Sequence, residues 1–274
     1  MGRFANSLDL AKQSWGVLVS DKELAVIPVV SFIGATAVTG VFGGAAYFSL
    51  DTTKTAAGAE EMAATPVTYA VGVVGYLAVT FVVTFFAAAL VAGALERFRG
   101  GDPSVSSSLS VAGSRIGPIF LWSMLTGTVG LVLQAIEQRA GFIGVIVTRA
   151  VGMAWQIVTW LAVPVIVDQG TGPFVSLKAS AGLFKKTWGE NLISQAGIGL
   201  VGFLAMLPGI VVGIALIAVL PVLGVVVLVL WVALVSTIVA ALNGILRTAV
   251  YLFATGQQVP QFRTESLAGA FRTK

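Results

Sequence analysis

Cysteine and histidine are both absent from the 274 residues of this chain. Zinc sites built from these side chains, thiol nucleophiles, disulfides and histidine-based acid–base pairs are therefore excluded. Charged residues are also scarce, at 10% of the chain, whereas they make up about a quarter of a soluble domain. With 57% hydrophobic residues and a mean hydropathy of +0.96, the composition predicts an integral membrane protein.

Several patterns that carry chemistry are missing as well. The sequence contains neither a G-x-x-x-x-G-K-[ST] loop nor a strand followed by GxGxxG. Its apolar stretches hold no carboxylate pair of the hydrolase type, and the basic pair Lys185–Lys186 is too short to indicate nucleic-acid binding. We therefore expect no catalytic residues, no cofactor, no metal and no nucleic-acid partner. A cleavable signal peptide is not expected either, because charges interrupt the first 23 residues.

Six apolar stretches dominate the chain. Each is long enough to cross about 30 Å of hydrocarbon as a helix, and solid apolar runs favour helices over the alternating pattern of a barrel. The stretches lie at about 24–48, 66–95, 116–133, 142–167, 192–216 and 222–246. We predict an all-α membrane protein that forms a single integral membrane domain over residues 1–274, with two or three cytoplasmic amphipathic interfacial helices.

Two amphipathic stretches, at 3–18 and 174–188, predict helices that lie in the membrane surface. Apolar side chains share one helical face in each, namely Phe4, Leu8, Ala11 and Trp15 in the first, and Phe174, Leu177, Ala181, Phe184 and Trp188 in the second. Lysines point elsewhere, toward the headgroups of the bilayer. The predicted lipid-interface residues are Lys12, Trp15, Phe174, Leu177, Lys178, Phe184, Lys185, Lys186 and Trp188.

The two amphipathic stretches also share the pattern S-x-x-L-x-K-x-[ST]-W-G, at 7–16 and 180–189. One interpretation is that interfacial helices resemble each other by composition. The other is an internal duplication of a unit made of a surface helix and the hairpin that follows it. Residues 104–117 provide a weaker third match.

The distribution of positive charge predicts the orientation. If both termini lie on one side of the membrane, that side holds 13 of the 16 Lys and Arg residues. The positive-inside rule then places both termini in the cytoplasm. The amphipathic stretches would face the cytoplasmic leaflet, where anionic lipids reside.

Four polar residues stand out in or beside the apolar stretches: Arg149, Gln156, Asn243 and Asp168. Gln156 and Asn243 either join helices or line a permeation or binding site. Arg149 lies about two turns inside the fourth stretch, where it either reaches outward or pairs with Glu137, or has a functional role. Asp168 closes the same stretch and is expected to face a lysine of the next segment or to cap the following turn.

Small residues and prolines predict details of the packing. Close helix contacts are expected at Gly40–Gly44, at Gly93 with Ala89, and at Gly209–Gly213. Bends are expected at the prolines that fall within or near the ends of spans, which are Pro28, Pro164 and Pro208.

Three stretches carry a resemblance to a known family: SLDLAKQSWGVLVSDKELAVIPVVS, VPVIVDQGTGPFVSLKASAGLFKKTWGENL, and YLFATGQQVPQF followed by LAGAF. They resemble an uncharacterised family of bacterial six-helix integral membrane proteins, which is similar to the membrane domains of some glycerophosphodiester phosphodiesterases. The resemblance implies the fold, the topology and a bacterial plasma membrane. It implies no activity, because the family has no agreed function and no catalytic motif.

Together these features predict a non-enzymatic multi-pass plasma-membrane protein. The leading hypothesis is a scaffold that self-associates or assembles with other membrane proteins and contacts anionic lipids through its amphipathic helices. The alternative is a channel or transporter for a small solute or ion, with a path near Arg149, Gln156 and Asn243. A lipid-processing enzyme is a minor third hypothesis, since no catalytic constellation supports it.

Overall fold

The computed structural model describes residues 3–54, 60–187 and 195–269. Over these residues the chain is almost entirely helical, with one two-stranded antiparallel sheet. The helices are α1 (Arg3–Ser20), α2 (Lys22–Phe48), α3 (Pro66–Phe98), α4 (Val105–Ser114), α5 (Ile116–Arg139), α6 (Phe142–Thr159), α7 (Ala162–Gln169), α8 (Pro173–Thr187), α9 (Gln195–Val219), α10 (Pro221–Ala254) and α11 (Thr264–Gly269). The strands β1 (Asp51–Lys54) and β2 (Glu60–Ala63) lie in the polar loop between the first two spans.

Six segments of the described chain are long and apolar enough to cross a membrane, which confirms the predicted number. They are Lys22–Phe48, Pro66–Phe98, Ile116–Arg139, Phe142–Gln169, Val201–Val219 and Pro221–Ala254. At 1.5 Å per residue, α3 and α10 are each about 50 Å long, which exceeds the ~30 Å hydrocarbon layer. The predicted start of the fifth span at 192 and the predicted end of the second interfacial helix at 188 lie outside the described residues.

The long helices form antiparallel hairpins. In two of these hairpins, a glycine lets the two helices approach each other closely. In the first hairpin, a side chain added at Gly75 of α3 would meet the Phe42 ring of α2 at 2.9 Å. In the last, Gly209 of α9 lies against Trp231 of α10. A short helix precedes each hairpin, since α1, α4 and α8 come before α2–α3, α5–α6 and α9–α10. This element order fits the hypothesis of a repeated unit, but duplication of the sequence itself stays a prediction.

The buried core lies at one end of the bundle. Asn6 of α1 donates from its Nδ2 to the carbonyl of Ser266 in α11, so the helices nearest the two termini meet there, and we call this the termini end. The buried apolar residues of the described chain concentrate in 88–98 of α3, 162–167 of α7 and 241–252 of α10. In α6, by contrast, Thr148 is the single buried residue. The halves of the spans far from the termini therefore present apolar side chains to their surroundings.

The fourth span is interrupted between α6 and α7, at Trp160 and Leu161. Pro164 explains the break, because it lacks the N–H that would bond the Trp160 carbonyl and its ring crowds that carbonyl. The Ser180 hydroxyl of α8 donates to the Val158 carbonyl at 2.6 Å and accepts from the Leu161 N–H at 3.1 Å. The Val158 carbonyl and the Leu161 N–H at the break are thus satisfied inside the protein, as a membrane interior requires of backbone groups. Helices α2 and α9 continue through Pro28 and Pro208.

The amphipathic helices contact the bundle through residues outside the predicted apolar faces as well as through parts of those faces. In α1, Leu10, Ser14 and Val17 are buried, whereas Trp15 of the predicted apolar face is 47% exposed. In α8, Ser176 and Ser180 are fully buried, although neither belongs to the apolar face that the spacing predicts. Their small size lets α8 fold back closely beside α7, while Phe174 of the apolar stripe stays exposed and Leu177 and Phe184 are half-buried against the core.

Candidate functional site

Asp168 lies in a polar cluster that joins the ends of three helices. One of its carboxylate oxygens pairs with the Arg99 guanidinium at 2.7 Å. The other accepts a hydrogen bond from the hydroxyl of Tyr251 at 2.7 Å, and Gln169 donates to the same hydroxyl at 3.2 Å. The expectation that Asp168 faces a lysine or caps the following turn is therefore wrong. Its partners come from the ends of α3 and α10, which this carboxylate ties to α7.

A second ion pair joins the start of α2 to the end of α3. The Asp21 carboxylate lies 2.8 Å from Nε of Arg97. Burial of Asp21 raises its pKa above the ordinary value of 3.8, against the opposing effect of Arg97 and with smaller upward contributions from Asp102 and Glu23. The desolvation of the Asp21 carboxylate outweighs its attraction to the partly exposed Arg97. The main effect of the pair is therefore to join α2 to α3.

The turn between α7 and α8 is held by a left-handed glycine. Gly170 ends α7 with a φ of +66°, a conformation that side chains other than glycine rarely adopt. The guanidinium of Arg115 lies directly against it, so a side chain at this position would collide with the arginine. This geometry fixes where α8 turns back along α7.

A cavity of about 340 Å³ opens between α2, α3 and α10. Apolar side chains such as Phe32, Phe86 and Leu90 form most of its wall. Asn243 and Arg247 contribute polar groups on α10, one helical turn apart. Asn243 donates to the Val239 carbonyl of its own helix at 2.9 Å, so the amide nitrogen is already bonded.

Arg247 lies at the termini end of this cavity. Its guanidinium lies over the ring of Trp160, 5.9 Å from the ring centroid, which is a cation–π distance. Its Nε is shielded from solvent and has no hydrogen-bond partner within the described part of the chain. Arg247 therefore differs from Arg97 and Arg99, which both have carboxylate partners.

The other polar residues predicted within the membrane are not brought to this cavity. Arg149 pairs with Glu137 at 2.8 Å, and its side chain is 71% exposed on the outer surface of the bundle. Gln156 is also exposed, on the same helix α6. Of the three residues proposed for a permeation path, only Asn243 contributes to the cavity wall.

The predicted lipid-interface residues lie mostly on the surface. Phe174 is 73% exposed. Lys12, Lys178 and Lys185 are exposed as well. Leu177 and Phe184 are half-buried against the core. The side chain of Lys186 and the whole of Trp188 lie outside the described residues. Contact of these residues with lipid stays a prediction.

The three predicted small-residue contacts have different surroundings. A side chain at Gly93 would meet Ser108 at 2.6 Å and Leu24 at 2.7 Å, and one at Gly213 would meet Leu228 at 2.9 Å. Both glycines therefore mediate close helix contacts inside the chain. Gly40 and Gly44 on α2 have nothing within 4 Å of an added side chain. This small-residue face is left open.

Sequence patterns miss two of the side chains that organise the site. The helical pattern leaves Ser180 off the predicted apolar face, and Arg247 enters only as one of the positive charges that set the orientation. A signal for Ser180 does exist, because a serine seven residues into the helix after a proline-interrupted span is placed to reach the break. Nothing local marks Arg247, since its surroundings come from α2, α3 and the α6–α7 break.

The fold and its surface define a multi-pass α-helical membrane protein. Within the described ranges, no cluster of three acidic side chains is placed to hold a metal ion. The chain belongs to DUF6159, a family of unknown function, whose model matches residues 67–260. No curated protein and no solved structure matches the chain.

Proposed function

We propose that this protein is a non-enzymatic scaffold of the bacterial plasma membrane that self-associates through the open face of α2. Ala37, Gly40, Gly44 and Tyr47 share this face at 100° per residue, nearly opposite Phe42, which packs on α3. In lipid, association depends on close van der Waals packing, which small residues permit. The observation that carries the proposal is that Gly40 and Gly44 have no intramolecular neighbour, whereas the other predicted glycine contacts do.

A second surface supports assembly. Helix α6 exposes large apolar side chains along most of its length, and Gln156 lies exposed among them. A carboxamide facing hydrocarbon has no partner of its own, and bonding to another chain would satisfy it. The partner at α6 is a further copy or another membrane protein.

The orientation and the lipid contacts belong to the same proposal. Both termini would lie in the cytoplasm, and the exposed Lys12, Lys178 and Lys185 would face the anionic headgroups of that leaflet. Phe174, with the half-buried Leu177 and Phe184, would rest on acyl chains. The sequence resemblance to the membrane domains of some glycerophosphodiester phosphodiesterases, which we propose reflects kinship, would agree with a non-catalytic membrane module.

Transport is less well supported by the geometry. A path near Arg149, Gln156 and Asn243 requires these residues to share an aqueous space. Arg149 and Gln156 are on the outside of α6, and Asn243 is on the wall of a cavity formed by other helices. If transport occurs all the same, reconstituted protein should show a solute or ion flux that Gln156→Leu abolishes while the fold survives.

Energy transfer between two fluorescent copies of the full chain in liposomes tests self-association. We expect the double variant Gly40→Leu/Gly44→Leu to associate at least tenfold more weakly, because two leucines would hold the helices apart. Gly72→Leu is the matched control, since Gly72 on α3 is equally open and lies outside this face. A wild-type chain that stays monomeric at every protein-to-lipid ratio would contradict the proposal, as would equal losses in both variants.

A further inference from the structure

The cavity between α2, α3 and α10 has the shape of a site for an acyl chain. Its α10 wall runs from Ser236 to Arg247, which is about 16 Å of helix. Its α2 wall runs in the opposite chain direction, from Pro28 near the termini end to Ala35. The space is therefore elongated along the spans and lined mainly by apolar side chains, with Arg247 where it nears the termini end.

The polar side chains of this wall differ in whether they can still donate a hydrogen bond to a ligand. Thr237 and Asn243 donate to carbonyls of their own helix, at 2.7 Å and 2.9 Å. Arg247 donates no hydrogen bond and makes no ion pair within the described ranges. Because Nε of Arg247 is shielded from solvent and unpaired, a partner of opposite charge would relieve a desolvation penalty at this position. The chemistry at this end of the cavity thus favours an anion.

The depth of Arg247 along the spans indicates what kind of anion the cavity would bind. Pro28, on the facing wall, lies six residues after Lys22 at the start of α2, which is about 9 Å of helix. The ion pair between Asp21 and Arg97 lies at that start and is partly exposed. Arg247 is therefore close to the boundary between headgroups and hydrocarbon, where the phosphate of a phospholipid lies.

We propose that this cavity binds one anionic phospholipid, with its phosphate on the guanidinium of Arg247 and an acyl chain along the apolar wall of α2, α3 and α10. Arginine suits this role because its planar group donates two parallel hydrogen bonds to phosphate oxygens. Trp160 holds the guanidinium from its other side through the cation–π contact. This inference does not depend on self-association, which involves a different face of α2.

Native mass spectrometry of the full chain in neutral detergent tests the site with two lipids of identical acyl chains, phosphatidylglycerol and phosphatidylcholine. We expect the wild type to bind phosphatidylglycerol roughly tenfold more tightly, because the choline cation of phosphatidylcholine offsets the attraction between its phosphate and Arg247. Arg247→Met keeps the length of the side chain and should reduce this preference below about twofold. Arg149→Met, which removes an exposed arginine of another span, is the matched control and should keep the preference.

A cavity-filling variant tests the acyl-chain half of the proposal. Ala240 lines the cavity on α10, and Ala240→Leu should weaken the binding of both lipids while Arg247 stays in place. This variant also keeps the test decisive if Arg247→Met fails to fold. An unchanged preference in Arg247→Met, or full binding in Ala240→Leu, would overturn the site. Binding of oleate without binding of phosphatidylglycerol would overturn the assignment to a phospholipid.

Discussion

The most informative substitution in the fold is Ser180→Ala. Ser180 is fully buried, and its hydroxyl bonds the Leu161 N–H and the Val158 carbonyl at the break in the fourth span. Removing the hydroxyl leaves the buried N–H without this partner, which costs about 1–3 kcal/mol in proteins generally. Hydrogen bonds between membrane helices average nearer ~0.6 kcal/mol, with a maximum near ~1.7. We therefore expect the free energy of unfolding to fall by roughly 1–2 kcal/mol.

Ser176→Ala is the matched control, one turn earlier on the same helix. Ser176 is equally buried, but its hydroxyl bonds the Gly172 carbonyl, which also accepts the Ser176 N–H, and the hydroxyl of the partly exposed Thr171, which can bond water instead. The carbonyl therefore keeps a partner, and the loss should stay below about 0.5 kcal/mol. Reversible unfolding of the full chain in mixed micelles with increasing dodecyl sulfate gives both values. Equal losses in the two variants would refute the role assigned to Ser180.

A double-mutant cycle with Pro164→Ala tests the cause of the break. Alanine at 164 restores an N–H that can bond the Trp160 carbonyl, so α6 and α7 are free to join into one helix. The Leu161 N–H would then bond a backbone carbonyl, and Ser180→Ala should lower the free energy of unfolding much less in the Pro164→Ala background. A coupling energy near zero would show that the break does not depend on Pro164.

Three further predictions concern the termini end. Tyr251→Phe should lower the free energy of unfolding by roughly 1–2 kcal/mol, measured in the same micelles, because the bond from its buried hydroxyl to Asp168 is lost. Burial raises the pKa of Asp21 above 3.8 in the folded protein, so the folded state binds this proton more tightly than the unfolded state does. The free energy of unfolding should therefore fall as the pH rises above 3.8, and Asp21→Asn should flatten that part of the pH profile. In intact cells, an impermeant thiol reagent should label a cysteine placed at Gly141 and not one at Gly101, and the reverse pattern would contradict termini in the cytoplasm.

The spans were predictable from the sequence because the physics that sets them is local. A helix must be apolar over about 20 residues to cross the hydrocarbon, and every span meets that condition within its own sequence. The helix over 173–187 was predictable for the same reason, from its spacing of aromatic and aliphatic residues. The burial of Ser176 and Ser180 in that helix was not predictable, because a serine can serve as a small packing residue as well as a polar one.

The partners of charged residues could not be predicted from local patterns. Arg99 and Asp168 are 69 residues apart and meet because α3 and α7 end at the same level. Hydropathy predicts that the sixth span ends at 246, which would place Arg247 in a juxtamembrane segment. Helix α10 continues to Ala254, so Arg247 lies on a packed surface. Helix ends beyond the hydrocarbon leave no hydropathy signal, and long-range packing decides their environment.

Cysteine cross-linking along α2 tests the proposed scaffold most directly, because the natural chain contains no cysteine. A disulfide between two copies forms only when their Cα atoms approach to about 4.4–6.8 Å. Single cysteines at Gly40 and Gly44, oxidised in native membranes, should give covalent dimers. A cysteine at Ala45, which is exposed on the same helix but lies about 140° around it from Gly40 and about 100° from Gly44, should not. Dimers at all three positions alike, or at none, would contradict self-association through this face.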